Sequence, residues 1–505
     1  MPVAALYGLN FGAQKSKLFL DIHLAIYRHP TNVRLIFAYS SALPSLLLRT
    51  PLFFTLLFVT VLAAHLCHAG VLWEPETFPL AAAAQMLQGH ALYRDIWYDK
   101  PPLSPLLHFV LGAQAGWILR AFGALYTLLC AWLAYLFARS LWGRREALWA
   151  AGLLAFFLTF DFPASVLPVG PDLLIIAPHL GAVWLAWQGR PFWAGALAAI
   201  ATLANVKGVF VLLACLPFAW PAVPLLLLGF ALPCCAAAAV LAGTGALPGF
   251  IEQVWLWSSL YAASPHLENP IANGLTRTAN WAGFHAALVI ASAWRIPWRF
   301  VLWIAISLLA VAVGLRFFPR YYLQLLPPLC LTAAYGAARL RGRAWITALL
   351  LLIPLVRFAP RYLTVALNNP WADTALDRDS RQAAALLQPL THAGDTLFIW
   401  GYRPELWVYS RLPDATRFLD SQPLTGVPAD RHLTQSVPID HVRPAHARQE
   451  LLRTSPTFIA DGLSLYNPHL SLSAYPELQS WFAQYREVGR TAGTVLYRRA
   501  DTLRK

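Results

Sequence analysis

Two glutamates, Glu74 and Glu76, stand at the polar exit of the first long apolar run. A carboxylate there can take a proton from an incoming hydroxyl or amine, and partial burial raises its proton affinity. The segment behind them, QGHALYRDIWYDKPPL (88–103), adds Asp95, Asp99 and Lys100. The plain alternative is a solvated loop whose acids pair with Arg94 and Lys100. In PVGPDLLIIAPH (168–179), Asp172 begins an apolar stretch and His179 follows seven residues on, on the same helical face. Ionisable groups inside apolar spans are costly and often functional. Asp172 would equally suit a helix N-terminus, and His179 a packed core.

Lysine is scarce, at Lys15, Lys17, Lys100, Lys207 and Lys505 against 33 Arg. Lys207 in NVKGVF sits between two apolar runs, where its ammonium could neutralise a phosphate or snorkel to the interface. In RFFPRYYLQLLPPL (316–329), Arg316 and Arg320 flank Pro319, and Tyr321 and Tyr322 follow. A guanidinium fork suits a phosphate, and aromatic rings suit an isoprenoid or a sugar face; interfacial anchoring is the other reading. The loop 248–280 carries Trp255, Trp257, Tyr261, His266, Glu268 and Asn269. It reads as an amphipathic interfacial helix, with sugar stacking as the alternative.

The elements that must position these residues are membrane helices. Of 505 residues, 58% are hydrophobic and 12% charged, far from the quarter charged of soluble domains. The net charge of +14 sits in short loops between apolar runs, which is topology rather than a phosphate-binding stripe. No nucleic-acid partner is expected. About eleven spans are predicted, near 51–70, 116–138, 147–160, 172–188, 191–206, 208–220, 222–243, 281–294, 298–315, 320–338 and 344–358. Several fall short of the roughly 20 residues of a perpendicular crossing.

With a cytoplasmic leader (1–50), the inner loops carry Arg139, Arg144 and Arg145, then Arg190, Arg295 and Arg299, then Arg339, Arg341 and Arg343, as the positive-inside rule asks. The first outer loop (71–115) then contains interfacial helices and does not cross. The membrane domain is 51–360. Eight of the ten acids before residue 361 face outside, and Lys100, Lys207, Arg316 and Arg320 break the inside bias on that same face. The tail, 361–505, is polar. GDTLFIWG (394–401), PTFIAD (456–461) and GTVLYRR (493–499) read as strands. Stretches near 376–388, 443–453 and 476–485 read as helices, giving an extracytoplasmic α/β domain. The six cysteines have neither metal-type spacing nor a disulfide framework. No P-loop or dinucleotide fingerprint is present.

With these pieces in place, the sequence resembles the bacterial GT-C glycosyltransferases of the dolichyl-phosphate-mannose-protein mannosyltransferase type, which include the aminoarabinose transferases acting on lipid A. The match rests on the acidic pair with QGHALYRDIWYDKPPL, on PVGPDLLIIAPH, on NVKGVF and on RFFPRYYLQLLPPL, with FIWGYRPELWVYSRL and YRR in the tail. It spans about 51–500. The resemblance implies a multi-pass protein of the bacterial inner membrane, its N-terminus cytoplasmic and its tail periplasmic. It implies a polyprenyl-phosphate sugar donor arriving from the membrane lipid, and single-step inversion with a first-loop carboxylate as general base. Carried onto this chain, the base is Glu74 or Glu76. Lys207, Arg316 and Arg320 hold the donor phosphate. Asp95, Asp99, Lys100, Asp172, His179, Tyr321 and Tyr322 belong to the substrate cavity. Many members have adjacent Asp-Glu where this chain has Glu74-Pro75-Glu76, so the base stays open between the two, with Glu74 nearer the span end. No cofactor is certain, although the carboxylates could bind Mg²⁺ or Mn²⁺. The sugar and the acceptor are not legible.

Two other functions fit more loosely. A lipid-linked sugar flippase or secondary transporter would usually show related halves with midplane charges, and no such repeat is visible. A non-catalytic scaffold would leave the outer acids free to change.

Overall fold

The computed structural model describes residues 50–263, 269–293, 296–339, 344–428 and 437–504. Residues 1–49 of the leader (1–50), and His266, Glu268, Arg295, Arg341 and Arg343, lie outside them. Residues from Thr60 on form one compact unit holding both the apolar helices and the tail. The described part of the other unit, 50–59, is helical.

Among the described residues, Trp117–Leu141, Val223–Gly243 and Trp345–Ala366 are long and apolar enough to cross a membrane. Five more apolar helices are shorter: Thr50–Leu66, Pro171–Trp187, Pro191–Ala204, Val206–Ala219 and Trp298–Ala312. The expected single span at 281–294 is instead two helices, Pro270–Phe284 and Ala286–Ser292, which meet at His285. The expected span at 344–358 runs on to Ala366. Val223–Gly243 turns Leu225, Leu228 and Leu232 outward, a face suited to lipid.

Several apolar runs are short because their polar ends leave the α-helix where charge must be placed. Pro171–Leu174 is a single turn bearing Asp172. Val206–Gly208 is a 3₁₀ turn bearing Lys207. Pro319–Leu325 is a 3₁₀ helix bearing Arg320, Tyr321 and Tyr322. Irregular backbone at membrane depth is tolerated only where protein or a polar cavity surrounds it. Asn205 stabilises the second of these turns, since its side chain accepts the Lys207 N–H at 3.1 Å. Gly208 lets that turn lie against Pro191–Ala204, where a Cβ would stand 2.2 Å from the Ala201 carbonyl carbon.

The loop after the first apolar run is not a surface feature. Its helix Glu74–Leu87 is buried at every residue from Glu76 to Gln85. The run FPLAAAA has no polar face, and its small alanines let protein pack on all sides. The loop shares one hydrophobic core with the tail: Phe78, Tyr93, Ile96, Trp97 and Tyr98 pack with Phe398, Trp400, Leu406, Trp407 and Phe418. Hydrogen bonds tie the seam. Gln85 Nε2 donates to the Leu412 carbonyl at 3.2 Å, and Gln85 Oε1 accepts the Asp414 N–H at 3.0 Å. The Trp97 N–H donates to the Arg417 carbonyl at 2.7 Å. Leu103–Val110, at eight residues, is far too short to cross.

The tail holds a four-stranded sheet of order β1-β2-β4-β3. Its strands are β1 Leu397–Trp400, β2 Phe458–Asp461, β3 Tyr485–Arg490 and β4 Val495–Arg499. β1 and β2 are parallel, and the other pairs antiparallel. Three strands match the sequence reading, as do the helices Ala375–Leu387, Val442–Leu451 and Pro476–Phe482. β3 was not expected. It is a largely exposed edge strand, YREVGR, whose polar residues carry no alternating signal.

Candidate functional site

The three irregular turns and the start of Glu74–Leu87 converge on one open cavity with about 1080 Å³ of empty space, its mouth included. Glu74, Asp99, Lys100, Asp172, Lys207, Arg316, Arg320 and Tyr321 line it. These eight sequence-nominated residues come from four separate stretches of chain.

Arg320 is the hub. Its Nη1 donates to Glu74 Oε2 at 2.7 Å, and its Nε lies 3.5 Å from Asp172 Oδ2. Asp172 also accepts from Asn205 Nδ2 at 3.1 Å. Lys100 Nζ donates to Asp99 Oδ2 at 2.9 Å, and the Tyr93 hydroxyl donates to the Lys100 carbonyl at 2.7 Å. Two cations rest on rings: Lys207 Nζ lies 3.2 Å from the centre of Tyr321, and the Arg316 guanidinium carbon 3.6 Å from that of Tyr261. Such contacts hold a cation at an apolar wall. The Lys207 ammonium is buried and has no hydrogen-bond acceptor among the described residues. A buried donor without an acceptor is costly, so this nitrogen is ready for an anion.

Four other nominated residues do not line this cavity. Glu76 is fully buried and faces the protein interior. Its Oε1 accepts the Trp73 N–H at 3.0 Å, its Oε2 accepts the Val169 N–H at 2.9 Å, and Arg120 donates to both oxygens. Its lone pairs are therefore occupied. Asp95 sits near the surface, where its hydrogen bond to Arg94 holds its carboxyl down at about 2. His179 accepts the Trp303 Nε1–H at 2.7 Å deep among the helices. Tyr322 points away from Tyr321, bonding Thr278 Oγ1 at 2.8 Å and stacking on Trp281.

The sequence reading did not nominate Asn205, Tyr402 or Gln422, which also line the cavity. Asn205 was legible, as the residue two before Lys207 in NVKGVF. Tyr402 and Gln422 belong to the tail, and no local pattern places them there. A second cavity, with about 1380 Å³ of empty space, shares Glu74, Arg320 and Tyr402 with the first and extends past Trp73, Thr77, Arg277 and Asp373. Glu74 is thus reachable from two sides.

Each acid of the first cavity already faces a cation or an amide, and no group of three His, Cys, Asp or Glu among the described residues could hold a metal ion.

No protein-family profile matches the chain, and no curated protein matches it in sequence. Solved structures do match. ArnT from Cupriavidus metallidurans bound to undecaprenyl phosphate aligns over 88% of this chain and 97% of its own, at 15% identity and a TM-score of 0.59. The apo state of ArnT from the same organism aligns over 90% and 98%, at 15% identity and a TM-score of 0.53. The chain has the GT-C fold. That is the fold the four motifs led us to expect.

The tail closes the cavity through a titratable loop. Asp420 is fully buried, and its oxygens accept the Gln422 N–H at 2.7 Å and Gln422 Nε2 at 3.0 Å. Burial pushes its carboxyl up to about 7; the nearby Asp99 adds to the rise, while the Gln422 hydrogen bonds and Lys100 oppose it. The unfolded chain loses that proton near the ordinary carboxylate value of about 4. The folded state therefore holds an extra proton between about pH 4 and pH 7. This contribution to stability is complete below that window and is lost as pH rises through it. The thermal midpoint in detergent should fall from about pH 5 to pH 8, and Asp420→Asn should flatten that slope. An unchanged slope in the variant would remove Asp420 from the account.

Proposed function

We propose that the chain is a membrane glycosyltransferase that moves a sugar from a polyprenyl-phosphate carrier to an acceptor on the extracytoplasmic face. The observation that carries this reading is the buried Lys207 ammonium, which has no acceptor among the described residues, in the same cavity as Arg316, Arg320 and the half-exposed Glu74. That is an anion site beside a base. The likeness to an ArnT structure bound to undecaprenyl phosphate supports a lipid phosphate as the anion.

In this reading the donor phosphate lies against Lys207, Arg316 and Arg320. The acceptor hydroxyl or amine comes to Glu74 from the second cavity. Glu74 takes its proton as the acceptor atom bonds to the anomeric carbon, and the carbon–oxygen bond to phosphate breaks on the opposite face. The configuration inverts, and the electron pair leaves on polyprenyl phosphate. That phosphate gains negative charge in the transition state, where fixed cations stabilise it more than in the bound donor. Asp172 holds the second edge of Arg320 and so directs its fork.

The test is transfer by the purified full chain in lipid nanodiscs, supplied with undecaprenyl-phosphate sugars carrying labelled hexose or pentose and with extracted envelope glycans and lipids. Label should move to an acceptor, and undecaprenyl phosphate should be released in equal amount. Movement of intact donor across a liposome membrane without bond cleavage would instead establish a flippase.

A further inference from the structure

We infer that Glu76 and Arg120 form a positioning clamp that sets Glu74 and Asp172 on either side of Arg320. This rests on the proposed transfer reaction. Arg120 is fully buried and donates to four residues in three stretches of chain. It grips the Glu76 carboxylate at 3.0 Å through Nη1 and again through Nη2. It also donates to the His68 carbonyl at 3.2 Å, the Val71 carbonyl at 2.8 Å and the Leu167 carbonyl at 3.0 Å. Glu76 returns the grip by accepting the Trp73 and Val169 N–H groups. One ion pair thereby fixes the end of the first apolar helix, the start of Glu74–Leu87 and the stretch leading to Asp172.

Two residues from Glu76 in one direction lies Glu74, and three from Val169 in the other lies Asp172. The two stretches touch between them. A Cβ on Gly170 would stand 2.7 Å from the Pro75 carbonyl oxygen and 3.2 Å from its carbon. Neither backbone can give without moving an acid that holds Arg320. The Glu-Pro-Glu arrangement divides the labour: one carboxylate faces the cavity, and the other, turned inward, is the anchor. Bidentate charge-assisted pairs fix orientation as well as distance. A catalytic group displaced by about 1 Å can lose on the order of a hundredfold in rate.

The obvious variants, Glu76→Gln and Arg120→Met, strand a buried charge and threaten folding. Gly170→Ala leaves every charge in place and pushes only on Pro75. The full chain in nanodiscs should bind undecaprenyl phosphate within about twofold of the parent, keep its thermal midpoint within a few degrees, and lose about tenfold in the rate of bound-donor turnover. Gly170→Ser should lose at least as much, because its side chain begins with the same Cβ. Parent-level turnover in Gly170→Ala, or a rate loss matched by lost folded protein, would overturn the clamp. Glu74→Gln measured alongside separates the two readings. If it is inactive while Gly170→Ala turns over normally, the clamp fails alone. If it turns over normally, the base assignment fails, and a tenfold loss in Gly170→Ala would then be positioning of Arg320 by Asp172.

Discussion

Glu74→Gln is expected to lower the rate of sugar transfer about 10²–10⁴-fold, the range of a positioned general base. The amide keeps the shape of the side chain, and its oxygen still accepts from Arg320, so the cavity wall stands. What disappears is the ability to take a proton. Undecaprenyl phosphate binding should stay within about threefold, because the buried Lys207 nitrogen and Arg316 are untouched. Single-turnover transfer from pre-bound donor separates the two effects, since binding is complete before the chemistry starts. A Glu74→Gln variant with unchanged single-turnover rate would move the base elsewhere. Glu76 is a poor replacement, as its oxygens are filled by Trp73, Val169 and Arg120.

Lys207→Met is expected to weaken undecaprenyl phosphate binding about ten- to a hundredfold, the worth of a hydrogen bond to a charged group. Methionine retains the apolar stem that packs toward Tyr321 and removes only the ammonium, which lies 3.2 Å from the ring centre. In the parent, that nitrogen bears the cost of burial with no acceptor among the described residues. The free Lys207→Met protein should therefore be as stable as the parent, or more so, with the loss confined to the lipid-bound form. Ligand-induced shifts in thermal midpoint across a series of undecaprenyl phosphate concentrations read both quantities in one experiment. Equal shifts in parent and variant would place the phosphate away from Lys207.

The identity of the site residues was partly legible because the background is so apolar. A lysine in NVKGVF, an acid in PVGPDLLII and paired arginines in RFFPRYYL stand out where charge is expensive. Spacing was less informative than it looked. Residues two apart on a helix point nearly opposite ways, which is why Glu74 faces the cavity while Glu76 faces Arg120. Tyr321 and Tyr322 are adjacent on a 3₁₀ turn, where neighbours stand about 120° apart, and they too face different surroundings. His179 shares a face with Asp172, but seven residues are about 10 Å along a helix. That depth takes it below the cavity, to Trp303. Period reports a face and says nothing about depth.

From sequence alone came the apolar helices and three of the four strands, because each depends on local pattern and composition, while the GT-C fold was expected from the resemblance its four motifs carry. Only the tertiary structure decided that the loop after the first apolar run holds a buried helix sharing a core with the tail, and that Tyr402 and Gln422 line the cavity. It alone turned Glu74 toward the cavity and Glu76 toward Arg120. The reason is physical: these facts depend on contacts between stretches hundreds of residues apart, such as Glu74 with Arg320 and Leu72 with Asp377. Packing selects such contacts from the whole chain at once, and no local window contains them.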